Sequence, residues 1–219
     1  MIKYYKNING ELKEIREFSK NCWVKVLDPD EKEINLLIKE FNLERDLVMD
    51  GLDIYELPRI EEENKRKYIY LNVPTSEISN EYSSSFLTIL SKSFFITISK
   101  ADLEIFERIF NSRGDSLLVD KEKTLLQVLS FISISYSSQI RKILKEVKRD
   151  RRNIKNLKEG DITSLVIKED ILNDYLSGFT LLLHLHSALL RSKSLGFDSE
   201  EQEFIEDLKV ELNQTYISC

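Results

Sequence analysis

The stretch KEKTLLQVLSFISISYSSQIRKILKEVKRDRRNIKNLK, residues 121–158, decides the fold. Its apolar positions are Leu125, Leu129, Ile132, Tyr136, Ile140, Ile143 and Val147, then Ile154 and Leu157. Steps of three and four recur, and the one gap in the series falls near Arg151. That spacing keeps one face of an α-helix apolar. Ser130 to Ser138, where Ser alternates with Ile, would suit a strand if taken alone. The helical face runs through it unbroken, so the reading is helix. No Pro or Gly interrupts the 38 residues, and Gly160 follows as the expected stop. At ~1.5 Å per residue the rod is roughly 57 Å long. Such a rod exceeds what a small domain needs, so it is expected to span modules or lie along another long helix.

Downstream, a second long helix is expected over Asp161–Ser194, its stripe Leu165, Leu172, Leu176, Phe179, Leu183 and His186 lying on the first. A third follows Phe197-Asp198-Ser199, with Asp198 or Ser199 as cap and Phe204, Leu208, Leu212 and Tyr216 as its stripe. It stops in mid-pattern at Cys219, which predicts that the natural chain continues. Upstream, Ile2–Tyr5, Glu14–Phe18, Cys22–Leu27 and Lys67–Val73 read as strands. Phe86–Leu90 and Phe94–Ile98 read as a hairpin turning at Ser91-Lys92-Ser93. Between them lies a helix capped by Asp28, with Pro29 first, Glu31 in a capping box, and Ile34, Leu37, Ile38 and Phe41 buried. Short helices are expected over Glu44–Leu52 and Ala101–Phe110, the latter with Leu103, Ile105, Phe106 and Ile109 inward. Asn111 to Asp115 forms a polar joint. The fold class is therefore α/β (α+β): a sheet between helices over residues 1–112, an antiparallel helix pair over 113–196, and the start of a further helix over 197–219.

The 219 residues carry a net charge of −6 and are 42% hydrophobic. That is enough for a real core, and the negative balance speaks against nucleic acid as main partner. Cys22 and Cys219 make no disulfide framework, which fits a reducing cytoplasm. The polar start, Met1 to Gly10, is no signal peptide. The longest apolar run, Phe179–Leu190, is broken by His184, His186 and Ser187 and is too short to span a bilayer. A soluble chain is expected.

No phosphate loop, Cys-x-x-Cys pair or nucleophile elbow is present, so no enzyme is expected. His184 and His186, two apart on a helix, face different ways and cannot chelate one metal together. Arg113-Gly114-Asp115 and the sequon Asn213-Gln214-Thr215 read as chance matches. Residues 141–158 hold nine basic side chains (Arg141, Lys142, Lys145, Lys148, Arg149, Arg151, Arg152, Lys155, Lys158) against Glu146 and Asp150. The run is thus +7, and the rest of the chain sums to −13. It reads first as a solvated helix tip with acidic neighbours. The alternative is a soluble scaffold whose basic arm binds nucleic acid or acidic membrane.

Asp50-Gly51-Leu52-Asp53-Ile54-Tyr55-Glu56-Leu57-Pro58-Arg59-Ile60-Glu61 resembles the signature of the CorA family of magnesium and related divalent-cation transporters. Trp23-Val24-Lys25-Val26, Lys67–Leu71, Phe94–Ile98, Leu125–Lys155 with Tyr136, and Phe204–Gln214 follow in the family's order. The resemblance implies a cytoplasmic α/β domain, long antiparallel helices, and a stalk helix leading to the membrane in a homopentamer. The family's Gly-Met-Asn pore motif and both membrane helices are absent, so this chain is expected to conduct nothing itself and to associate only weakly. Its helix tip is basic where relatives are often acid-rich. The resemblance also implies a regulatory divalent ion, Mg2+ or alternatively Co2+, Ni2+ or Zn2+, between acids of neighbouring subunits. Matched by motif these are Asp50 and Asp207, with Asp53, Glu206 and Glu211 as weaker candidates. The place implied is the cytoplasmic face of the cell membrane.

Overall fold

The computed structural model describes residues 1–75, 83–111, 120–152, 159–192 and 194–217. Among these the chain forms β1 (Ile2–Ile8), β2 (Glu11–Ile15), β3 (Cys22–Leu27), α1 (Glu31–Phe41), α2 (Arg45–Asp50), β4 (Arg59–Glu63), β5 (Arg66–Pro74), β6 (Ser83–Leu90), β7 (Phe94–Ser99), α3 (Glu104–Asn111), α4 (Lys121–Arg152), α5 (Glu159–Arg191) and α6 (Ser199–Ile217). Arg113-Gly114-Asp115, residues 153–158 of the expected long helix, and Cys219 lie outside the described residues.

One sheet runs in the order β2-β1-β3-β7-β6-β5-β4. β3 and β7 are parallel, with Trp23 opposite Phe95; the other neighbours are antiparallel. Alternate side chains leave opposite faces of a strand, and here both faces are covered. On one, Val24, Tyr68, Tyr70, Leu87, Ile89 and Ile96 pack with Ile34, Leu37 and Phe41 of α1 and Val48 of α2. On the other, Trp23, Ile69, Phe86 and Phe95 join α3 and the three long helices in one continuous core. The expected sheet between helices is what forms.

As far as Val147, the apolar face read from the sequence is the buried one. Leu125, Leu129, Ile132, Tyr136, Ile140, Ile143 and Val147 all lie inside. Within the Ser/Ile stretch, Ser133 Oγ donates back to the Leu129 carbonyl at 2.7 Å, so the hydroxyl is satisfied inside the helix. Gly160 does not end α4; it lies in the first turn of α5.

Several expectations are corrected. Asp28 does not cap α1, because its φ is +42°. Asp30 caps instead, in a capping box with Glu33, leaving Pro29 outside the helix. The strand expected at Glu14–Phe18 lies at Glu11–Ile15. Asn9 and Gly10 both take positive φ, and a two-residue turn pairs Ile8 with Glu11. Asn64 and Lys65 do the same between β4 and β5, and β4 itself was not foreseen. Ala101 to Leu103 precede α3, and α5 ends at Arg191 rather than Ser194.

The stripes of α5 and α6 also differ. On α5, Phe179 and His186 are buried, but so are Tyr175, Leu182, Leu185 and Leu189, while Leu165, Leu172, Leu176 and Leu183 are only partly covered. α5 touches α4, α6, β4 and β5, so more than one face is packed. On α6 the covered line is Glu201, Ile205, Leu208, Leu212 and Thr215. Phe204 and Tyr216 are exposed. α6 packs against both α4 and α5, and that pair selects Ile205 rather than Phe204. Of the two cap candidates, Asp198 is the one used: its carboxylate accepts from Glu201 N at 2.8 Å.

Candidate metal site

Asp50 is the last residue of α2, and the sheet fixes where α2 sits. Glu44 N, at the start of α2, donates to Tyr68 Oη at 3.0 Å, and Tyr70 Oη donates to the Leu47 carbonyl at 3.0 Å. Tyr68 and Tyr70 alternate on β5, so both phenols reach the same helix. Gly51 lets the helix end lie close to the sheet. A Cβ there would stand 2.4 Å from Leu87 Cδ2 and 2.6 Å from its Cβ, although the backbone at φ −65° is ordinary.

The signature segment then folds back onto Asp50 through Arg59. Its guanidinium donates to Asp50 Oδ2 at 2.8 Å and Glu61 Oε1 at 2.6 Å, and forms a close ion pair with Glu56. It also lies over the Tyr70 ring, 4.0 Å from the centroid. Burial opposes the guanidinium's charge. Hydrogen bonds to Glu61, Glu56 and Asp50 outweigh it and raise the pKa. Three carboxylates thus surround one cation, a local excess of negative charge. Sequence reading passed over this role of Arg59. The only signal was its position beside acids at −9, −3 and +2.

Asp53 serves the turn: its carboxylate accepts from Tyr55 N at 3.0 Å, and its own N–H donates to the Asp50 carbonyl at 2.9 Å. Glu206, Asp207 and Glu211 are exposed on α6. α2 belongs to the core on one face of the sheet, and α6, packed on α4 and α5, to the core on the other. One chain therefore does not bring Asp50 and Asp207 together. Among the described residues no group of three or more His, Cys, Asp or Glu could hold a metal. His184 is exposed and His186 buried, as two faces of one helix require. His186 Nδ1 lies 2.7 Å from the Leu182 carbonyl and so carries the proton.

In the basic run, both acids are claimed by α5: Lys168 Nζ lies 2.7 Å from Asp150 and 3.6 Å from Glu146. Lys142, Lys145 and Lys148 are left exposed.

The sequence profile of the family described as CorA-like Mg2+ transporter protein matches residues 18–218. No curated protein sequence matches. The fold is that of the complete CorA magnesium transporter from Methanocaldococcus jannaschii, with TM-score 0.81 at 16% identity over 99% of this chain and 71% of that one. The soluble domain of that organism's CorA gives TM-score 0.81 at 18% identity over 99% and 90% of the two chains. The ZntB cytoplasmic domain from Vibrio parahaemolyticus gives 0.78 at 11% identity over 98% and 90%.

Proposed function

The chain belongs to the family of CorA-like Mg2+ transporter proteins, and from that membership we propose that it is a transporter's cytoplasmic regulatory domain, sensing intracellular Mg2+ at a subunit interface. It performs no catalysis in this reading. Among the described residues no helix is long and apolar enough to cross a membrane. The reading places the domain at the cytoplasmic face of the cell membrane, with α6 leading toward the membrane-spanning part of a homopentamer.

The observation that supports the sensor is the separation of Asp50 and Asp207 by the sheet. A ligand set using both must come from two copies of the chain. Mg2+ takes oxygen ligands and keeps several waters, so one or two carboxylates suffice. An all-carboxylate pair also suits Mg2+ better than the softer Co2+, Ni2+ or Zn2+. Two carboxylates facing each other across an interface repel, and a shared divalent ion offsets that repulsion. Loss of the ion then loosens the interface, which links ion concentration to the pore. Asp50 enters the site with one oxygen on Arg59 and the other outside that bond.

The test is thermal unfolding and sedimentation with and without Mg2+, at protein concentrations that populate the assembly. Wild type should be stabilised and driven to associate at roughly millimolar Mg2+, as few-ligand sites require. Asp50→Asn and Asp207→Asn should each lose that response. An equal response in all three would remove these residues from the site.

A further inference from the structure

A cavity of about 870 Å3 opens at one end of the sheet. The β4–β5 turn, the β6–β7 turn, the start of α4 and the segment after α5 converge on it. Lys20, Lys65, Lys67, Lys92 and Lys121 line it, against Glu62 and Glu122, so its wall carries a formal charge of +3. Lys121 is 8% exposed. Its ammonium donates to Asn21 Oδ1 at 3.1 Å and to the Lys92 carbonyl at 3.0 Å, both neutral acceptors. The third N–H has no partner among the described residues. The adjacent Asp120 carboxylate is occupied, accepting from Lys123 N at 3.1 Å to cap α4.

A buried ammonium without a counter-ion is costly, and at a helix start the dipole adds to the cost. Burial lowers the Lys121 pKa; Glu122 and Asp120 pull it back, and Lys20 pushes it down further. Lys67 is tied to the Ser194 carbonyl. Lys20, Lys65 and Lys92 have no acidic partner among the described residues, and Ser91 and Ser93 add hydroxyls to the same wall. Among the described residues the apolar lining is Leu90 and Leu195, with no aromatic ring on which a base could stack.

We infer that this cavity binds a compact phosphate polyanion, the chain of a di- or triphosphate, through Lys121 at its floor and Lys20, Lys65 and Lys92 at its rim. The recognition is of phosphate charge, so a nucleotide would be held by its tail alone. This inference is independent of the Asp50 and Asp207 sensor.

The test is calorimetric titration of the 219-residue chain with inorganic triphosphate, in Mg2+-free buffer at physiological salt. Sulfate at equal ionic strength is the comparison. Triphosphate should bind, and sulfate at least tenfold more weakly. Adenosine triphosphate should bind no tighter than triphosphate. Lys121→Met, and separately the triple change Lys20→Ala, Lys65→Ala, Lys92→Ala, should each weaken binding roughly tenfold or more. Removing the same charge from α4 with Lys142→Ala, Lys145→Ala and Lys148→Ala should change nothing beyond twofold. If Lys121→Met does not fold, the triple variant decides. The proposal is overturned by no triphosphate binding up to about 10 mM, or by equal weakening in the α4 and cavity variants. It is also overturned if phosphatidate vesicles are captured through the cavity lysines while triphosphate is not, which would identify a lipid surface as the ligand.

Discussion

Gly178→Ala tests the helix pair most sharply, because local and tertiary effects have opposite signs. Gly178 sits inside α5. Ala is better than Gly in a helix interior by ~1 kcal/mol, so propensity alone predicts stabilisation. A Cβ at Gly178, however, would stand 2.5 Å from Tyr136 Oη and 3.1 Å from Tyr136 Cζ on α4. Tyr136 is 1% exposed. Its ring meets Tyr175 at 6.2 Å and Phe179 at 6.3 Å, both edge-on, so it has little room to retreat. Overpacking costs ~1–3 kcal/mol. Subtracting the propensity gain leaves a net destabilisation of about 0–2 kcal/mol, so the coupling to Tyr136 is the sharper readout. Urea unfolding followed by far-ultraviolet circular dichroism reads the destabilisation as a lower midpoint at constant slope. Tyr136→Phe removes the closest contact, so in that background Gly178→Ala should cost less. The double-mutant cycle should show a coupling of about 1 kcal/mol. Gly178→Ala as stable as wild type, with no coupling to Tyr136, would refute the close approach of α4 and α5.

Ile143→Ala, on the buried face of α4, should cost about 2–5 kcal/mol by the same unfolding assay. Trp23→Phe removes the 2.8 Å bond from Nε1 to Thr97 Oγ1 and leaves a buried hydroxyl unpaired; about 1–3 kcal/mol should be lost, in part recovered by adding Thr97→Val. Burial first, then the Glu14 carboxylate, raise the Tyr5 phenol from 10.0 to about 12. Its contribution to stability is therefore intact below pH ~10 and is lost as pH rises through the folded value. Ultraviolet titration should show several late tyrosines, because burial also raises Tyr70 and Tyr136, and one fewer in Tyr5→Phe. Burial holds the His186 imidazole below its ordinary value against the Leu182 carbonyl, with Lys209 adding to the depression. Its contribution is present above pH ~6.5 and is lost as pH falls through the folded value, so His186→Gln should flatten the acid limb of the stability profile. Arg59→Gln should lower stability while sharpening the response to Mg2+, since it frees Asp50; an unchanged Mg2+ response would separate Asp50 from the ion.

What the sequence alone determined follows from local covalent geometry. The 3.6-residue period placed Leu125 through Val147 on one buried face because consecutive turns bring those positions together whatever the partner. The β-branched and aromatic runs Phe86–Leu90 and Phe94–Ile98, split by Ser91-Lys92-Ser93, marked the hairpin because such side chains favour extended backbone. The Asn9-Gly10 turn is legible too, since Asn and Gly accept positive φ, whereas Lys65 at φ +62° gives no such signal. Tertiary structure decided what depends on a neighbour. α6 carries apolar residues around much of its circumference, so only the α4–α5 pair determines that Ile205 is covered and Phe204 exposed. The signature segment shows Asp50, Glu56 and Glu61 as separate acids; the fold-back onto α2 gathers them around Arg59. Lysines scattered from position 20 to 121 share a cavity wall only because two strand turns and the start of α4 meet at one end of the sheet. No spacing along the chain encodes that meeting, because it is set by the order in which the strands pair.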